Sequence, residues 1–87
     1  MGLNIDAYYC EENQVEVVLA NDKFHLSPDR NYVVIGYAGV DGIEFQIKNN
    51  SEDKTVFAFY PIEEEHIEIA KDAADLVIKW KNGEIIL

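Results

Sequence analysis

Cysteine, arginine and tryptophan each occur once in this 87-residue chain, as Cys10, Arg30 and Trp80. A lone cysteine forms no intrachain disulfide and assembles no cysteine metal cluster, and it fits a reducing compartment. No apolar run approaches the ~18 residues of a membrane-spanning helix, and Met1 to Tyr9 carries no basic leader, so a cytoplasmic protein is expected. Basic side chains are scarce too: 7 against 17 acidic ones, for a formal charge of -10. That balance excludes the usual electrostatic route onto nucleic acid or an anionic membrane, which draws on clustered lysine and arginine.

Catalytic patterns are equally thin. His25 and His66 are the only histidines and have no HExxH or His/Cys spacing around them. Ser27 and Ser51 stand in turn-like contexts with no GxSxG elbow. Gly36, Gly39 and Gly42 make neither GxGxxG nor a Walker loop, and their expected use is conformational. Asp41 and Glu44 flank Gly42 but lack the six to eight oxygen ligands of a calcium loop. No enzyme, cofactor or metal site is expected.

What is present reads as one domain over residues 1–87, since no linker, repeat or low-complexity tract divides it. A chain of this mass folds with roughly 5,200 Å² exposed and buries about 64% of its unfolded surface, enough for one modest core. A short strand is predicted around Ala7 to Cys10 within the apolar stretch from Leu3, closed by the turn formers Glu11, Glu12 and Asn13. Val15, Val17 and Leu19 mark a second strand, with a turn at Asn21 and Asp22 joining it in a hairpin to Lys23–Leu26. After the break at Ser27–Arg30, β-branched residues predict a strand over Tyr32–Tyr37.

Ile43, Phe45 and Ile47 then alternate with Glu44, Gln46 and Lys48, giving a core face and a water face. The polar run Asn49–Asp53 turns the chain into Val56–Tyr60, an antiparallel partner, and Pro61 ends that strand. Glu63, Glu64 and Glu65 connect to a brief extended piece at Ile67 and Ile69. The final element is a helix over 72–82, with Asp72 as N-cap, Ala73, Leu76, Val77 and Trp80 on one stripe, and Gly83 beyond the end. Trp80 is the expected anchor, worth about 3–5 kcal/mol on truncation where fully buried. Residues 84–87 either add a strand, close the core or serve a dimer seam. The fold class expected is α+β, an antiparallel sheet of five or six short strands with the C-terminal helix on one face.

The stretches IGYAGVDGIEFQIK (Ile35–Lys48), VFAFYPIEEE (Val56–Glu65) and IEIAKDAADLVIKWKNGE (Ile67–Glu84) together resemble the C-terminal part of the SMI1/KNR4 family, also called the SUKH superfamily. Ala70 falls where that family's helix entry has alanine, Asp72 takes its serine position, and Leu76 lies in its hydrophobic register. The helices that open the family are absent, and Ala73 and Ala74 stand where it prefers aromatic residues. The resemblance covers residues 32–84. It implies a role like that of the family's bacterial immunity proteins, which bind and neutralise toxins, often nucleases, or like that of its regulatory and scaffolding members.

Charge alone leads to a basic protein partner, which an acidic surface attracts. That this partner is nucleic-acid-acting is what the resemblance implies, and the acidic sign suits it, since nucleases keep a basic cleft for phosphate. A DNA-mimicking inhibitor from a mobile element and a non-enzymatic regulatory module are the alternatives, solubility alone would also account for the sign, and a homodimer is open. Candidate contact residues are Glu63, Glu64, Glu65 and Glu68, with Glu52 and Asp53 expected near them at the sheet edge. To these are added Asp41, Glu44 and Tyr37, the last expected to present its ring at a loop. A second acidic group is Glu11, Glu12 and Glu16.

Overall fold

A computed structural model describes residues 6–85 and 87. Its fold is α+β, with seven strands among the described residues in two sheets and one C-terminal helix. Strands β1 (Tyr8–Cys10) and β2 (Val15–Val18) form an antiparallel hairpin. Strands β3 (His25–Leu26), β4 (Tyr32–Tyr37), β5 (Glu44–Lys48), β6 (Val56–Tyr60) and β7 (Glu65–Ala70) form a five-stranded antiparallel meander in sequence order. The expected strand start at Leu3 lies outside the described residues.

One pairing differs from expectation. Asn21–Lys23 is a 3-10 turn, and β3 leaves it to pair with β4. Strand β2 pairs with β1 instead, so no hairpin forms at Asn21 and Asp22. The physical reason lies at Gly36. Val17 crosses β4 so closely that its carbonyl occupies the place of a Cβ on Gly36, while Leu19 N–H donates to the Ile35 carbonyl at 2.7 Å. Strand β2 is thereby laid over the sheet, and β4 accommodates it with a bulge at Ile35.

The core lies between the sheet on one side and the β1–β2 hairpin with the helix on the other. Ile43, Phe45 and Ile47 supply the predicted buried face of β5, and Val56 and Ala58 continue it on β6. Helix α1 (Ala73–Lys81) closes the layer with both ends capped as its sequence requires. Asp72 accepts from Asp75 N–H at 2.7 Å, and Gly83, at φ 72°, lets Gly83 and Glu84 N–H reach the Trp80 and Lys79 carbonyls. Trp80 packs edge-on to Phe45 as expected but is only half-buried, whereas Leu76 on the same stripe is fully buried. In the tail, Ile85 packs on the core and Leu87 is exposed.

Candidate functional site

Three hairpin turns meet at one end of the molecule. The β4–β5 turn brings Asp41, flanked by Tyr37 and Glu44, which face each other across the two strands. Beside it the β6–β7 turn brings Glu63 and Glu64 and leads into Glu65; the added Cβ at Gly42 would touch Pro61. The β1–β2 turn, with Glu11 and Glu12, reaches the same end because Val15 packs against Gly39 and Glu16 lies within electrostatic reach of Tyr37. No lysine or arginine belongs to these turns. Among the described residues the one ion pair is Lys79–Asp75, so the carboxylates gathered here have no cationic partner. Burial first, then Glu44 and Glu16, raise the Tyr37 hydroxyl above its ordinary pKa. Tyr37 ends β4 half-buried against the core and is not displayed on a loop.

Glu52 and Asp53 are elsewhere. They sit in the β5–β6 loop, at the far end of β6 from Glu63–Glu65, and the expectation that they join that cluster is overturned by the meander itself. Successive hairpins reverse the chain, so connections on either side of one strand fall at opposite ends. Asp53 serves its own loop, accepting from Thr55 N–H at 3.0 Å and Thr55 Oγ1 at 2.6 Å, which holds its carboxyl below the usual range. Arg30, Lys48, Lys54 and Lys71 also belong to that opposite end, interleaved with Asp29, Glu52, Asp53 and Asp72, and Lys81 of the helix lines a hollow with Glu12 and Asn13 of the β1–β2 turn. Glu68 is exposed on β7 opposite Phe57.

A second feature lies on the sheet face that the helix leaves uncovered. Gln46, expected to face water, is buried on it. Its Nε2 donates to Glu44 Oε1 at 2.9 Å, and its Oε1 lies 2.8 Å from His66 Nε2. The Glu44 carboxylate fixes the amide orientation, since a carboxylate can face only a donor, and the Oε1 turned towards His66 then makes that imidazole the donor through Nε2. His66 also stacks on Tyr32 at 3.9 Å between centroids with planes 12° apart, and meets Phe59 at 4.7 Å. Tyr32 is on β4 and His66 on β7, three strands away, or about 14 Å in a flat sheet. Their contact makes the face concave.

The walls come from loops at both ends. Ser27 Oγ donates to Asp29 Oδ1 at 2.7 Å and accepts from Tyr32 N–H at 3.2 Å, while Asn31 N–H donates to the same Asp29 oxygen at 3.0 Å. These bonds fix the Ser27–Asn31 loop as one wall and hold the Asp29 carboxyl below its ordinary value. Pro61 and Glu64 form the other. The cleft between them measures about 620 Å³. Burial lowers the His66 pKa, with Asp29 opposing more weakly, so the imidazole is biased towards its neutral form.

Gln46 and Phe59 were not among the residues the sequence singled out, His66 stood out only as a histidine without a motif, and Tyr32 only as one of five tyrosines of the kind favoured at interfaces. A signal existed: VFAFY and YVVIGY are apolar at successive positions, and strands with two apolar faces need cover on both. Among the described residues no group of three or more His, Cys, Asp or Glu is placed to hold a metal ion, and no helix is long and apolar enough to cross a membrane. Compared with known protein families, curated proteins and solved structures, the chain matches none.

Proposed function

We propose that this is a small binding protein of inhibitor or immunity type, which neutralises a basic, nucleic-acid-acting protein by seating its acidic turn end in the partner's phosphate-binding cleft. The observation that carries the reading is the convergence of Glu11, Glu12, Asp41, Glu63 and Glu64 from three separate turns, without ion pairing, at the end opposite Arg30, Lys48 and Lys54. Unpaired charges on a rigid end steer an oppositely charged protein and suppress wrong partners. The resemblance of residues 32–84 to the SMI1/KNR4 family carries the same expectation.

The test is capture from a lysate of the source cell across a salt series, followed by a nuclease assay on the retained protein. Expected is one basic protein, released as salt rises, whose action on nucleic acid is inhibited by the full chain. A variant with Glu11→Gln, Glu12→Gln, Asp41→Asn and Glu63→Gln should lose capture at least tenfold. Capture of acidic proteins only, or a variant that binds undiminished, would sink the proposal.

A further inference from the structure

The uncovered sheet face holds a cleft whose chemistry is more specific than its charge. Three carboxylates border it: Asp29 from the β3–β4 loop, Glu44 from β5 and Glu64 from the β6–β7 turn. No lysine or arginine lines it. Its buried donors are already committed, Ser27 Oγ to Asp29, Gln46 Nε2 to Glu44 and His66 Nε2 to Gln46. Besides the Tyr32 hydroxyl, which can donate or accept, what remains free is accepting: the second Glu44 oxygen, His66 Nδ1 and the exposed Glu64 carboxylate. Such a surface repels phosphate and carboxylate.

Aromatic faces complete it. Tyr32 and His66 lie nearly parallel in stacked contact and Phe59 tilts against His66 at 37°, so a flat cation entering beside Glu44 and Glu64 meets an aromatic ring and carboxylates together. Guanidinium is the side-chain group with that combination of needs: planar, always charged, five donors and no acceptor, and suited to stacking. Ammonium matches the charge but neither the plane nor the fork.

We propose that this cleft is the seat of an arginine side chain presented by the basic partner, with Glu44 and Glu64 receiving the guanidinium fork and Phe59, opposite Glu44 on the neighbouring strand, presenting its ring to the plane. This rests on the charge-directed reading above and adds an anchor to it. The turn carboxylates bring the partner in, and the cleft fixes its register through one residue. An arginine in a desolvated pocket is a typical centre of binding energy within an otherwise tolerant interface.

The probes are three acetylated, amidated tripeptides, Gly-Arg-Gly, its lysine counterpart and its citrulline counterpart, titrated into the full chain and followed by NMR of backbone amides and aromatic side chains. Expected are saturable shifts at His66, Tyr32 and Phe59, with arginine at least threefold tighter than lysine and no saturation with citrulline, which keeps the shape but loses the charge. Glu64→Gln should weaken the arginine peptide three- to tenfold, and Phe59→Leu should erase the preference over lysine. Equal binding of all three peptides, or shifts confined to the Glu11–Gln14 and Val40–Gly42 turns, would overturn the cleft. If the basic partner is still captured by the Glu64→Gln, Phe59→Leu double variant at unchanged affinity, the cleft is wrong and the charge reading stands. Arginine binding in the cleft without any captured basic protein retains the site and removes the immunity role.

Discussion

The carbonyl oxygen of Val17 occupies the space that a Cβ on Gly36 would need. This single approach fixes how the β1–β2 hairpin crosses the five-stranded sheet, and Gly36 has an ordinary negative φ, so sterics alone demand glycine there. The obstacle is backbone and cannot rotate away. Gly36→Ala is therefore expected to cost at least about 3 kcal/mol, the upper end of overpacking losses, in urea unfolding. Gly83→Ala, which has open space but a φ of 72°, should cost only about 1 kcal/mol. If the two substitutions cost the same, the hairpin does not cross the sheet at Gly36.

Helix α1 offers a second ordering. Leu76 is fully buried and Trp80 half-buried, so Leu76→Ala should cost about 2–5 kcal/mol and at least as much as Trp80→Ala despite the larger ring. Asp72→Ala, which removes the acceptor of Asp75 N–H, should cost about 1 kcal/mol. Equilibrium denaturation of the three variants checks the order, and a larger loss at Trp80 than at Leu76 would show that the indole is the anchor.

These two cases mark where sequence suffices. The helix from its cap at Asp72 to Gly83 is legible because each signal acts within a turn of the chain. The faces of β5 and the pairing of β5 with β6 are legible because alternation and a polar turn are local too. Pairing of β2 is not, since Asn21 and Asp22 are good turn residues in either arrangement and the choice is made by contact with β4, far away in sequence. The acidic turn end was half legible: Glu63, Glu64 and Glu65 stand out as a run, but only the meander sends Glu52 and Asp53 to the other end. The cleft was hidden because Tyr32, Gln46, Phe59 and His66 come from four strands and share no motif.

His66 predicts a pH dependence. Burial lowers its folded pKa below the ordinary 6.5, so between those two values the unfolded chain binds more protons than the folded one. Stability should be full above about pH 6.5 and decline as pH falls through that window. Asp29, whose nearby carboxylate favours the protonated ring, opposes the decline without reversing it. A separate loss follows at lower pH, where Asp29, Asp53 and Asp75, all held below the ordinary 3.8, become protonated. Denaturant midpoints from pH 8 to 3 should show both steps, and His66→Gln should remove the upper one alone. A flat profile between pH 7 and 5 in the parent chain contradicts the buried neutral imidazole.

Glu64 predicts an opposition between stability and binding. It holds a φ of 56°, a left-handed conformation that disfavours a side chain such as glutamate and that asparagine tolerates better. The turn uses this conformation as those at Gln14, Arg30, Asp41 and Asn50 do, but the Glu64 carboxylate is exposed and makes no ion pair among the described residues. Glu64→Asn should raise stability by about 0.5 kcal/mol, through easier backbone geometry and weaker repulsion from Glu63 and Glu65. The same change shortens the side chain and removes its charge at the mouth of the cleft, so binding of the arginine tripeptide should weaken at least threefold. A variant more stable and equally able to bind arginine would remove Glu64 from the site, and one less stable would show that the turn itself depends on glutamate.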